Sequence, residues 1–165
     1  MSDRTEALLA EMTVEEKATL MTGRGPWDVR PVERLGIPSL KVTDGPAGAR
    51  GAGLLGTGIP ALCLPCGSAL GATWNPVLIE DLGRVLAAET RARGCHVLLA
   101  PTVNIHRTPL GGRNFECFSE DPHLTSCLAV AYVRGVQSGG VATTIKHFVA
   151  NDSEYERNSI DSVVP

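Results

Sequence analysis

Apolar runs that end abruptly in polar, glycine-broken loops constrain this chain more than any other feature. The clearest is Val141-Ala-Thr-Thr-Ile-Lys-His-Phe-Val-Ala-Asn151, which follows Gly139-Gly140. Small, β-branched and apolar residues between breakers predict a buried strand. Two polar groups, Lys146 and His147, stand near its end, where a strand core has no use for them. Successive strand residues point to opposite faces. One reading therefore leaves one group in solvent and satisfies the other. The sharper reading ends the strand here and turns both towards a ligand, as at the carboxyl ends of parallel strands in α/β folds.

Other runs repeat the pattern. Leu40-Lys-Val-Thr-Asp44 predicts a short strand opening into Asp44-Gly-Pro-Ala-Gly-Ala-Arg50, although an Asp-Gly-Pro turn also forms without a ligand. Residues 68–73 have the small-residue character of a buried barrel strand, and residues 96–101 predict another. The latter opens into a long polar loop carrying Asn104, His106, Arg107, Arg113 and Glu116. Long ordered loops tend to be functional. His106 there is either a base or a packed histidine under the loop, with packing the better-founded reading.

Helices separate these runs. Thr13 with Glu16 forms a capping box for a helix ending near Gly23. Asn75-Pro76 starts a helix with Leu78, Leu82, Val85, Leu86 and Glu89 on one stripe, ended by Gly94. Asp121-Pro122 starts a third, with Leu124, Leu128, Ala131, Tyr132 and Val136 on its buried face. Gly51 to Pro60 is a flexible connection, and Trp27 lies in an early loop where it plugs a core edge or lines a ligand site. Alternating strands near 40–44, 68–73, 96–101 and 142–148 predict an α/β fold with a parallel sheet. A dinucleotide-binding turn is excluded by the spacing of Gly45-Pro-Ala-Gly48, and a β/α barrel fits better.

Composition narrows the function. A net charge of −3, no basic cluster and 4% aromatic residues speak against a nucleic-acid partner. No apolar run reaches the length of a membrane span, and the polar start Met1-Ser-Asp-Arg-Thr-Glu predicts a cytoplasmic protein. The five cysteines are then expected as free thiols. Cys63 and Cys66 have C-x-x-C spacing, without a second such pair to complete a zinc site.

Four motifs occur in one order: Asp44-Gly-Pro-Ala-Gly-Ala-Arg50, Gly112-Arg-Asn-Phe-Glu116, Phe118-Ser-Glu-Asp-Pro122 and Ile145-Lys-His-Phe148. Together they resemble the N-terminal barrel domain of glycoside hydrolase family 3, the β-glucosidase family, from about Met12 to Ser162. The resemblance implies a partial (β/α)8 barrel, about the first four strands, making residues 1–165 a truncated part of that domain. It implies a retaining hydrolase acting on β-glucosides or small oligosaccharides at the non-reducing end, with no cofactor and no metal. Sugar-binding roles in subsite −1 carry over to Asp44, Arg50, Arg113, Lys146, His147 and Arg157. Charged groups of this kind make strong hydrogen bonds to sugar hydroxyls.

The chain also departs from the family pattern. The family's nucleophile is an Asp in a Ser-Asp-Trp type motif, and neither Trp27 nor Trp74 follows an Asp. The acid/base residue usually comes from a second domain. Cys63-Leu-Pro-Cys66 stands where the family has a Phe-Pro-Ser type run. No catalytic residue is therefore assigned, and the isolated chain is expected to be inactive and to self-associate through an open barrel edge. The alternatives are a vestigial sugar-binding fragment and, more remotely, a C-x-x-C redox or zinc protein.

Overall fold

The computed structural model describes residues 3–51 and 59–163, and the chain divides into two compact units, residues 1–42 and 43–165. Most of the expected glycine-rich connection, residues 52–58, lies outside the described residues.

The first unit holds helices α1 (Asp3–Glu11) and α2 (Val14–Leu20). Thr13 caps α2 as its sequence predicts. Its hydroxyl accepts from the Glu16 N–H at 3.2 Å, and the Glu16 carboxylate accepts from the Thr13 N–H at 2.9 Å. Glu16 also takes Nε of Arg34 at 2.7 Å, tying α2 to the short 3-10 turn Glu33–Leu35. Antiparallel bridges Gly23–Val29, Asp28–Lys41 and Val32–Ile37 fold the intervening loops. Trp27 is half-buried there, with its indole N–H buried and unpartnered.

The second unit is built on the pair α4 (Pro76–Ala92) and α5 (Pro122–Ser138), capped by Asn75 and Asp121 with proline at the first turn. Ile79, Leu86, Leu128, Tyr132 and Val136 interlock between them and cover Leu98 of the sheet. On α5 the expected face is buried, with Leu124 at its margin. On α4 the stripe is rotated from expectation. Ile79, Gly83, Leu86, Ala87 and Thr90 are buried, whereas Leu78 and Val85 are exposed. The face is centred on Gly83, where a β-carbon would come within 2.8 Å of the Tyr132 carbonyl. Close helix approach at a glycine leaves no apolar residue to count.

The sheet has order β1 (Val42–Asp44), β2 (Val97–Leu99), β3 (Ala142–Thr143), with β2 and β3 parallel. The chain is α/β as expected, with three sheet strands among the described residues rather than four. Residues 67–71 form a short helix, α3 (Gly67–Gly71), not a strand. Small apolar runs do not distinguish the two by periodicity. Pro65 sets the entry, Cys66 has extended backbone, and the Leu70 N–H closes the first turn on the Cys66 carbonyl at 3.0 Å.

The run 142–148 is also shorter and more open than a buried strand. β3 is the sheet's edge among the described residues, and Ile145 and Phe148 are exposed. Pairing resumes once, as the Lys146 N–H donates to Pro101 and the Val103 N–H to Lys146, at 3.0 and 2.8 Å. No described helix is long and apolar enough to cross a membrane.

Candidate functional site

The carboxyl ends of the three strands deliver their polar residues to one region of the second unit. Asp44 closes β1, Thr102 and Asn104 follow β2, and Lys146 and His147 follow β3. The Lys146 ammonium donates to Asp44 Oδ1 at 2.8 Å, and Arg50 Nη1 lies 4.0 Å from Asp44 Oδ2. Partial burial pushes the Asp44 carboxyl up, but the Lys146 hydrogen bond and charge and the Arg50 charge outweigh it. Asp44 is held below its ordinary value, ionised.

Arg113 is the hub of a second group. Its Nε and Nη2 form a two-point bond with Glu116 at 2.8 and 3.1 Å, and Nη1 reaches Glu154 at 3.3 Å. Its Nη2 also donates to His147 Nε2 at 2.9 Å. The other ring nitrogen, Nδ1, donates to Asn104 Oδ1 at 3.2 Å, which requires neutral His147. The His147 pKa is lowered accordingly, by burial first and then by the Arg113 and Lys146 charges. Burial raises the Glu116 carboxyl, and Arg113 more than reverses this, leaving it low.

Asp44, Arg50, Arg113 and Glu116 line one cavity of about 350 Å³. Its far wall is the strap Leu62–Cys66. The Leu64 N–H donates to Ala47 at 2.8 Å, and at Gly48 a β-carbon would meet the Leu62 carbonyl at 1.8 Å, so the strap lies directly on the Asp44 turn. The buried Tyr132 hydroxyl holds the same turn through the Pro46 carbonyl at 3.0 Å.

Of the residues singled out from sequence, Asp44, Arg50, Arg113, Lys146 and His147 are drawn into these linked groups. Of these, Asp44, Arg50 and Arg113 line the cavity, while Lys146 and His147 stand behind it as their partners. Arg157 stands a further step out, exposed, bonded to Glu154 at 2.9 Å and likewise outside the lining. His106 packs under its loop, its Nε2 donating to the Asn114 and Cys117 carbonyls at 2.8 and 3.2 Å.

Three residues have roles at the site that the sequence reading did not assign. Asn104 is 7% exposed and holds both the ring and the backbone N–H of His147, the latter at 2.8 Å. Glu154 joins Arg113, Asn151 and Arg157. Glu89 lies on α4 yet accepts from the Ala49 and Leu62 N–H groups at 2.7 and 2.8 Å, stapling turn to strap. The available signal was a carboxylate on an otherwise apolar stripe.

The arrangement can grip a polyhydroxylated ligand with fixed charges. It offers no poised proton donor, because Asp44 and Glu116 are both kept ionised by cations. No three His, Cys, Asp or Glu side chains gather as a metal site among the described residues.

Residues 13–163 match the family model described as the glycosyl hydrolase family 3 N terminal domain. A beta-glucosidase of Rhizobium radiobacter is 57% identical over 95% of this chain. A probable beta-glucosidase J of Aspergillus fumigatus is 52% identical over 96% of it. The chain spans 19% and 18% of those two proteins. The crystal structure of the Kluyveromyces marxianus beta-glucosidase in complex with glucose superposes with a TM-score of 0.87 at 43% identity, over 92% of this chain and 18% of that one. Beta-glucosidase 3B from Thermotoga neapolitana in complex with glucose gives 0.85 at 39% identity, over 92% of this chain and 24% of that one.

Proposed function

The chain belongs to glycosyl hydrolase family 3, and on that premise we propose that it supplies the sugar-gripping half of subsite −1 in a retaining β-glucosidase. The observation that carries this reading is the ionised Asp44, held by Lys146 beside Arg50 and Arg113 on one cavity. Asp44 accepts hydrogen bonds from two neighbouring sugar hydroxyls. Lys146, Arg113 and His147 donate to hydroxyl oxygens or fix the groups that do. Arg50 guards the open side, and Arg157 acts through Glu154. Glucose bound in two structurally similar proteins supports the choice of sugar.

The three strands form part of a β/α barrel in this reading. The nucleophile and acid/base carboxyl groups come from segments of the relatives that this chain does not span. Retaining chemistry needs two carboxyl groups about 5–5.5 Å apart, one attacking and one protonating. The cavity carboxylates of this chain are both committed to cations, so the chain binds without forming a glycosyl intermediate. The exposed edge beyond β3, with Ile145, Phe148 and Val149, is where copies of the chain associate when it stands alone.

The test is incubation of the purified chain with nitrophenyl β-glucoside and, separately, with an activated 2-fluoroglucoside. We expect no nitrophenol release above a blank and no covalent adduct. A 2-fluoroglucosyl adduct on any Asp or Glu of the chain would overturn the division of labour proposed here.

A further inference from the structure

The wall of the sugar cavity holds two thiols that sugar binding does not use. Cys63 is exposed, Cys66 half-buried, and both line the cavity that Asp44, Arg50 and Arg113 line. Neither is bridged. They sit on the strap, and the strap touches both sugar-gripping loops. On one side the Leu64 N–H is bonded to Ala47 and the Leu62 N–H to Glu89, which also holds Ala49. On the other side α3, which the strap enters, packs on the 3-10 turn Asn114–Glu116 that follows Arg113.

Resting on the sugar-binding reading above, we propose that Cys63 and Cys66 form a thiol–disulfide switch on this cavity. A low-molecular-weight disulfide closes the pair into an intramolecular bridge, and the bridge weakens glucose binding.

Cys66 is the attacking group. Its sulfur lies 3.4 Å from the Ser68 hydroxyl. That hydrogen bond first, then the Ala69 and Ser68 backbone N–H groups, hold its pKa below the ordinary thiol value. The Cys66 thiolate attacks one sulfur of the small disulfide, forming a mixed disulfide and expelling one small thiolate. The Cys63 thiolate then attacks the Cys66 sulfur, forming the internal bond and expelling the second. Both expelled thiolates take up the protons that the protein thiols lost. Two protein thiols are oxidised to one disulfide, and one small disulfide is reduced to two thiols.

The bridge is incompatible with the docked strap. Residues 61–66 contain no turn or helix, and Cys66 has φ −65° and ψ 164°. A disulfide needs its two Cα atoms within about 7 Å. Drawing Cys63 onto Cys66 folds the strap and takes the Leu64 N–H from the Ala47 carbonyl. The Asp44–Arg50 turn then loses a bond that positions it. By linkage, a sugar that needs the turn in place opposes bridging.

The full chain is equilibrated in buffers of oxidised and reduced glutathione, quenched by alkylation and mapped by peptide mass. Amide hydrogen exchange at Leu64 reads the strap directly, and glucose titration reads the site. We expect the 63–66 peptide to lose its two thiol hydrogens reversibly. Exchange at Leu64 should accelerate, and the glucose dissociation constant should rise by roughly tenfold, as for one misplaced charge-assisted contact. Cys63→Ser should stall as a glutathione adduct on Cys66, and Cys66→Ser should form no bridge. Absence of the bridge at every glutathione ratio overturns the proposal. So does a bridge that leaves Leu64 exchange, or a measurable glucose affinity, unchanged. If the reduced chain binds no glucose, the sugar-binding reading fails and with it the control of sugar binding. Leu64 exchange still decides whether the bridge displaces the strap.

Discussion

Replacing Lys146 by Met strands the Asp44 carboxylate. The bond removed is 2.8 Å long, between side chains 14% and 32% exposed. Breaking a fully buried pair costs about 3–5 kcal/mol, and an exposed pair contributes about 0–1. This pair lies between, and Arg50 at 4.0 Å keeps partial compensation. The expected cost near neutral pH is about 1–2 kcal/mol, roughly 5–30-fold in the folding equilibrium. The pH dependence follows from Asp44. Its pKa is depressed in the folded chain below the ordinary 3.8. Its contribution is therefore fully present above that value and is lost as pH falls through the folded pKa. Wild type and Lys146→Met should begin to converge in stability below about pH 4 and meet only once the pH has fallen past the depressed folded pKa of Asp44. Urea denaturation of wild type, Lys146→Met, Asp44→Asn and the double variant measures the coupling. The double variant should recover about 1 kcal/mol relative to the sum of the singles, because it removes the stranded charge. Effects that add within about 0.3 kcal/mol would refute the reasoning.

Arg113→Lys should weaken glucose binding nearly as much as Arg113→Ala, by about tenfold or more in titration, since a lysine cannot serve Glu116, Glu154 and His147 from one planar fork. Cys117, whose thiol burial and the Glu116 charge push up to about 11, should be alkylated slowly at pH 8, as should the buried Cys95, while Cys63, Cys66 and the exposed Cys127 react first in peptide mapping with iodoacetamide.

The helix starts were legible because each is written in local chemistry. Thr13 with Glu16, Asn75-Pro76 and Asp121-Pro122 specify their caps without reference to the rest of the chain. The strand ends were legible for a different reason: Asp44, Lys146 and His147 are polar groups in apolar runs, and Asp44 and Lys146 meet although 102 residues apart. What the sequence hid depends on partners far along the chain. Gly83 centres the α4 face only because α5 lies against it, and residues 67–71 are helical although their small residues suit a strand equally. Asn104 and Glu89 are ordinary residues until His147 and the strap are in place. Arg157 carries a motif-derived role, yet its guanidinium reaches the cluster through Glu154 rather than directly among the described residues.

The central claim is that this charged cluster binds a glucosyl group. Titration of glucose into the reduced chain, followed by NMR line shifts or calorimetry, tests it directly. The account predicts saturable binding, weak and on the order of millimolar for half a site, that is abolished in Asp44→Asn while the variant keeps its fold by circular dichroism. Absence of saturable binding in the folded wild-type chain, or equal binding by the variant, would contradict it.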